Sequence, residues 1–201
     1  MTFVFIHGSF EHTTDAWFPW LKEQLEKLGH EVFLPQFPVD NWFEVSLHGA
    51  KQYKPTQNLS SWIQTFEQIQ PEIQKDSKLC FIGHSLGPLF LLHLIEKHHF
   101  YVNDAIFIAP FFDLQDSSPY INKANATFLQ KKFDFSKLQQ YIPQSTVIYS
   151  DDDPYVDEEK SLEFGKKLNS KIIKLHGLGH MGAEANMKEF PLVLELCKKV
   201  V

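Results

Sequence analysis

Leu79-Cys80-Phe81-Ile82-Gly83-His84-Ser85-Leu86-Gly87-Pro88 decides how the rest of this chain is read. Four apolar residues run straight into a G-x-S-x-G pentapeptide, and a helical stretch, Leu86–Lys97, follows. The pentapeptide alone would match by chance in about one chain in fifteen of this size, so the weight lies in its flanks. A strand that turns sharply into a helix across G-x-S-x-G is a nucleophile elbow. The turn is too tight for bulky neighbours of the serine, which accounts for Gly83 and Gly87. Ser85 then projects at the positive end of a helix, where developing negative charge is favoured. Pro88 falls in the first helical turn, where an absent N–H leaves no bond unmade. His84 precedes the serine and is expected to point away from its Oγ, as a packing or hydrogen-bonding residue.

Outward from the elbow, short apolar runs alternate with amphipathic stretches. The strand candidates are Thr2–Ile6, Glu31–Leu34, Lys78–Ile82, Ala105–Ile108, Ser145–Tyr149 and Lys171–Leu175. Several are apolar throughout, as parallel strands covered on both faces should be. The helix candidates are Trp17–Leu28 ending at Gly29, Leu59–Ile73, Leu86–Lys97, Glu158–Leu168 ending at Asn169, and Glu189–Val200. Asp15 and Ser60 stand where N-caps of the first two would be, and Gly29 where a left-handed C′ residue would be. The alternation predicts an α/β domain over residues 1–201, a right-handed parallel sheet with helices on both faces. Two stretches lack the pattern, the proline-bearing Gln36–Asn58 and the Phe-rich Ala109–Gln144. Connections at the carboxyl ends of such strands are the expected walls of a site.

The bulk composition narrows the partners. With 201 residues there is length for one sizeable core. A net charge of −6, with no basic run, argues against nucleic acid and against an anionic membrane. No stretch approaches the roughly 18 apolar residues of a membrane span. Met1–Gly8 has neither a basic n-region nor a small-residue cleavage site, so no signal peptide is expected and the expected compartment is the cytoplasm. The 2 cysteines, Cys80 and Cys197, have no metal-ligand spacing, and Cys80 reads as a buried free thiol.

A strand–elbow–helix serine is followed in chain order by an acid and then a histidine, each at the end of a later strand. Ser145–Tyr149 runs into Ser150-Asp151-Asp152-Asp153-Pro154, and one of these three aspartates can orient an imidazole. The competing reading of the cluster is a solvated turn capping the helix from Glu158. Lys171–Leu175 runs into His176-Gly177-Leu178-Gly179-His180-Met181-Gly182. His180, with Gly179 before it and Gly182 soon after, has the freedom a base needs. His176 lies too close to the strand. The other eight histidines (His7, His12, His30, His48, His84, His93, His98 and His99) have no comparable placement and match no metal motif, so neither metal nor cofactor is expected. The Leu86 backbone N–H, directly after the serine, is one expected oxyanion donor.

Strand-His7-Gly8, Trp17-Phe18-Pro19-Trp20-Leu21, the elbow, Asp152-Asp153-Pro154 and Gly179-His180 together resemble the compact α/β-hydrolases. The Trp-Phe-Pro-Trp segment narrows the likeness to the retinoblastoma-binding serine hydrolase family with its bacterial YdeN-like members. The resemblance spans Phe3 to the final helix. It implies a reduced sheet of six parallel strands in order 2-1-3-4-5-6, no large lid, and hydrolysis of a small ester or amide through Ser85. It favours Asp153 as the acid, because Asp-x-x-Val matches the family's pattern, with Asp152 second. The His7-Gly8 turn implies a second oxyanion donor from the N–H of Ser9, with Phe10 as the alternative. Phe111, Phe112, Phe128, Phe133 and Phe135 become candidates for an acyl pocket, against the alternative that they pack their segment onto the sheet. A non-catalytic protein-binding module, and an acyltransferase, are the rival functions the same likeness leaves open.

Overall fold

The computed structural model describes residues 1–47, 52–73, 78–114, 118–129 and 132–200. His48 and parts of both irregular stretches lie outside the described residues. Along the chain run β1 (Thr2–Ile6), α1 (Phe18–Lys27), β2 (Glu31–Phe33), α2 (Trp42–Leu47), α3 (Leu59–Ile73), β3 (Leu79–His84) and α4 (Leu86–His98). β4 (Asp104–Ile108), α5 (Pro119–Asn125), α6 (Phe135–Tyr141), β5 (Ser145–Ser150), α7 (Glu158–Leu168), β6 (Lys171–Leu175) and α8 (Pro191–Val200) complete it. The strands form one sheet in the order β2-β1-β3-β4-β5-β6, and all five pairings are parallel. Order and direction are those the resemblance implied.

Period-two side-chain alternation divides the core. Val4 and Ile6 of β1 and Phe81 of β3 face a cluster with Trp62 and Phe66 of α3, the apolar length of α4, and Phe164 of α7. Phe3, Phe5, Cys80 and Ile82 face the opposite cluster with Leu21 and Leu25 of α1 and Val193 and Cys197 of α8. α4 is buried continuously from Leu86 to Ile95, which is why it lacks a polar stripe. The edge strand β6 carries exposed Lys171 and Lys174, charges that discourage further strand pairing. Both cysteines are free and buried.

Two caps differ from expectation. α1 begins at Phe18 with no side-chain cap, and Asp15 accepts instead from the His12 N–H (3.0 Å), closing the preceding turn. α3 is capped by Asn58, whose Oδ1 accepts from Ser61 N–H (2.9 Å), not by Ser60, whose side chain is exposed. Gly29 does take the left-handed conformation (φ 83°). The His30 N–H reaches Leu25 O and the Gly29 N–H reaches Glu26 O, completing a Schellman end. The two irregular stretches are also more regular than their composition suggests, since α2 lies in the first and α5 and α6 in the second.

Asn58→Ala should therefore lower unfolding free energy by about 1 kcal/mol, and Ser60→Ala by less than about 0.5 kcal/mol, in urea titrations. The reverse ranking would contradict this cap assignment.

Candidate active site

The elbow connects β3 to α4. Ser85 sits at φ 57°, ψ −105°, a conformation costly for a residue with a side chain and held here by its surroundings. Its N–H donates to Ile108 O at 2.8 Å. A Cβ on Gly87 would lie 2.3 Å from Ile6 O, and one on Gly83 2.7 Å from Pro88 N. The two glycines are thus required by contacts with backbone, which cannot move aside.

His180, on the loop after β6, places Nε2 2.9 Å from Ser85 Oγ and Nδ1 2.7 Å from Asp153 Oδ2. The other oxygen of Asp153 accepts from Tyr155 N–H (2.8 Å) and Val156 N–H (3.0 Å), so this carboxylate, only 1% exposed, is fully engaged. Asp152 accepts from Ser150 Oγ–H (2.6 Å) and Gly179 N–H (2.9 Å), bonds that hold its carboxyl below the usual range. Asp151 accepts from the His176 ring and the Gly177 N–H, and its carboxyl is held low chiefly by that ring. Three successive aspartates thus each grip the loop after β6, and Asp153 is the one at the His180 ring. Tyr155 stands edge-on to that ring, 5.2 Å between centroids, and the Trp17 indole N–H donates to Met181 O at 2.9 Å. Trp17, from the segment that narrowed the resemblance, therefore anchors the loop carrying His180.

The loop after β1 faces Ser85 from the other side. A Cβ on Gly8 would lie 2.8 Å from Ser85 Cβ. His7 Nε2 receives the Phe37 N–H (3.0 Å), so the ring proton is on Nδ1, which donates to Gly8 O (2.8 Å). Burial pushes this imidazole's pKa down, in keeping with a neutral ring. Phe10, the alternative oxyanion donor, directs its N–H at Gln57 Oε1 (3.3 Å) and is committed there. That bond fixes the Gln57 amide, whose Nε2 donates to Asn125 Oδ1 (2.8 Å), and Ser9 Oγ–H donates to the same oxygen (2.6 Å). Ser9 thus stands beside the serine, its N–H meeting no side-chain acceptor among the described residues, whereas that of Phe10 is taken by Gln57.

A cavity of about 310 Å³ opens above Ser85 and His180. Phe10, Trp42, Phe111, Leu114, Ile121 and Val156 form its apolar wall, and Glu11 and Glu184 an acidic one. Phe111 lines it, whereas Phe112 and Phe128 do not. Phe112 stacks on Phe164 (4.5 Å) and meets Phe135, while Phe128 is wholly buried against Trp62 and Phe90. Phe133 packs on His93 (5.0 Å). These four rings join their segment to the core. Nothing in the sequence singles out Glu11, Gln57, Asn125, Trp42 or Glu184 as site residues. Each reaches the site from loops or short helices without a period or motif to mark it.

The family model described as serine hydrolase matches residues 3–199. The chain belongs to the serine hydrolase family. Among relatives of this serine hydrolase, the YdeN protein of Bacillus subtilis (strain 168) is 24% identical over 194 residues, covering 95% of this chain and 91% of the other. Serine hydrolase RBBP9 of Rattus norvegicus is 23% identical over 176 residues, covering 87% and 82%. The crystal structure of the B. subtilis ydeN gene product superposes with a TM-score of 0.81 at 22% identity, over 99% of this chain and 97% of that one. Est1E of Butyrivibrio proteoclasticus, with ferulic acid bound, shares the fold at a TM-score of 0.68 and 17% identity, over 98% and 86%.

Titration of the buried histidines should separate two of them. Burial alone would push His84 down, but the Glu11 carboxylate 2.9 Å away outweighs it and raises the imidazole to about 9. Burial pushes the Glu11 carboxyl up, but the His84 charge and the hydrogen bonds from His84 and the Gly8 N–H together carry it below its usual range, to about 2. Stability from a raised histidine is complete below about 6.5 and lost as pH rises through about 9. Long-range ¹⁵N–¹H spectra at pH 7.5 should show His84 with both ring nitrogens protonated and His7 with Nδ1 alone. Urea midpoints should fall between pH 7 and pH 10.

Proposed function

We propose that this serine hydrolase cleaves small carboxylic esters, and amides on the same machinery, through an acyl-enzyme on Ser85. The observation that carries the reading is the continuous chain from Asp153 Oδ2 to His180 Nδ1 (2.7 Å) and from His180 Nε2 to Ser85 Oγ (2.9 Å), beneath a largely apolar cavity. Asp153 holds the tautomer of His180 with its proton on Nδ1, so that Nε2 can accept. Ser85 Oγ attacks the carbonyl carbon and its proton passes to His180 Nε2. The oxyanion is received by the Leu86 N–H at the start of α4 and the Ser9 N–H of the facing loop. The bond to the leaving group breaks as His180 returns the proton to it. Water then repeats the sequence on the acyl-enzyme and releases the acid.

The strained Ser85 backbone supports a nucleophile in preference to an N-capping serine, since its side chain makes no cap hydrogen bond to α4. The cavity's size and apolar wall support short acyl groups. Ferulic acid bound to Est1E is in keeping with a small carboxylic acid as product. A cytoplasmic location is in keeping with two buried, unpaired thiols. No described helix is long and apolar enough to cross a membrane.

A fluorophosphonate probe, which captures only an activated serine, tests the reading without a known substrate. Stoichiometric labelling of the protein, abolished in Ser85→Ala, is the expected result. Folded protein that never labels would instead favour a binding module on this fold. Asp153→Asn should slow p-nitrophenyl ester hydrolysis by about three to four orders of magnitude. Asp152→Asn, which loses loop contacts only, should slow it by less than about tenfold.

A further inference from the structure

His84 is the one polar residue of the elbow that the chemistry at Ser85 leaves unused, and both its ring nitrogens face groups that can only accept. Nδ1 lies 2.9 Å from each carboxylate oxygen of Glu11, and Nε2 lies 2.8 Å from the backbone oxygen of His180. A neutral imidazole has one N–H, so making both bonds requires the imidazolium. The ring is buried, with Trp17 and Phe18 edge-on to it. Glu11 in turn accepts from the Gly8 N–H at 2.5 Å. The Glu11–His84 ion pair therefore joins the loop after β1, which faces Ser85, to the end of β3, and the bond from His84 Nε2 to the His180 carbonyl extends the link to the loop after β6.

Its placement also bears on charge. Glu11 forms part of the cavity wall, and a Cβ on Gly8 would lie 2.9 Å from Glu11 Oε2 and 3.3 Å from Ser85 Oγ. A bare carboxylate this near the nucleophile would oppose the negative charge that forms on the substrate oxygen. An imidazolium on the same carboxylate cancels most of that field.

We propose that Glu11 and His84 are a positioning pair for the reaction at Ser85, holding the Gly8 and His180 backbones at a fixed separation while each cancels the other's charge beside the nascent oxyanion. The inference rests on the serine hydrolase reading above. Neither residue touches the reacting atoms; both act through the loops they join. The groups facing His84 are Glu11 and the neutral His7 from the loop after β1, and His180 and Glu184 from the loop after β6. Glu11 dominates, and the ring keeps its second proton to about pH 9.

The test is the second-order rate constant of fluorophosphonate labelling across pH 6–10.5, with circular dichroism reporting the fold at each point. Wild-type labelling is expected to fall above about pH 9 while the protein remains folded. His84→Gln, which cannot titrate and leaves Glu11 bare, should label about ten- to a hundredfold more slowly and lack that alkaline fall. Glu11→Gln combined with His84→Gln removes the bare charge and should recover part of the loss, a non-additive result for two residues acting as a unit. Wild-type rates in His84→Gln, an alkaline fall that persists in it, or a double variant no faster than the single one would each overturn the proposal. Should His84→Gln fail to fold, the wild-type profile decides, and a rate flat to pH 10.5 in folded protein overturns it. Wild-type protein that never labels defeats the hydrolase reading itself, and with it this inference. Labelled wild type with unaffected variants defeats the pair alone.

Discussion

Ile6 stands opposite Gly83 in the β1–β3 ladder, and the Ile6 carbonyl occupies the space that a side chain on Gly87 would need. Everything at the site depends on that close approach of two backbones. It brings the end of β1 under the elbow, so the loop of His7 and Gly8 faces Ser85. It also makes Ser85 turn at φ 57°, with its N–H on the Ile108 carbonyl of the next strand. The parallel sheet thus supplies a nucleophile whose position is set by main-chain contacts on either side, before any catalytic partner is considered.

Around this point the loops at the carboxyl ends of the strands are tied by polar groups with little freedom to choose other partners. Neutral His7 spans Gly8 and Phe37, and charged His84 spans Glu11 and His180. The first imidazole works as donor and acceptor, the second as a double donor. Their opposite protonation follows from what faces each ring: a backbone N–H points at Nε2 of His7, whereas a carboxylate and a carbonyl face His84. In a buried site such bonds are costly to leave unmade, and they select one arrangement of the loops over many compact alternatives.

The sheet and the elbow were legible because their signals are local. Apolar runs of five or six residues, glycines flanking a serine and Gly-His after the last strand are written in consecutive positions. The strand order came from the family likeness, and the structure carries it. The caps expected at Asp15 and Ser60 differ from the structure because several polar residues crowd each helix start, and only geometry decides whether one of them, as Asn58 does for α3 and none does for α1, reaches the orphan N–H groups. The phenylalanines from Phe111 to Phe135 look alike as sequence, yet Phe111 reaches the cavity from the core cluster while Phe112 and Phe128 pack in or against that cluster without lining the cavity. Glu11, Gln57 and Asn125 were invisible for a different reason. Ser9 and Asn125 meet across 116 positions of chain, and Glu11 and His84 across 73, so no spacing rule connects them.

The three aspartates after β5 meet the loop after β6 in order: Asp151 at His176 and Gly177, Asp152 at Gly179, Asp153 at His180. Like teeth on a rack, they measure the distance from the end of the edge strand to His180. An added or deleted residue between His176 and His180 would leave Asp151 at His176 but shift the contacts beyond the change and carry the imidazole off its acid, whatever residue was inserted. The length of that short segment is therefore as constrained as its chemistry.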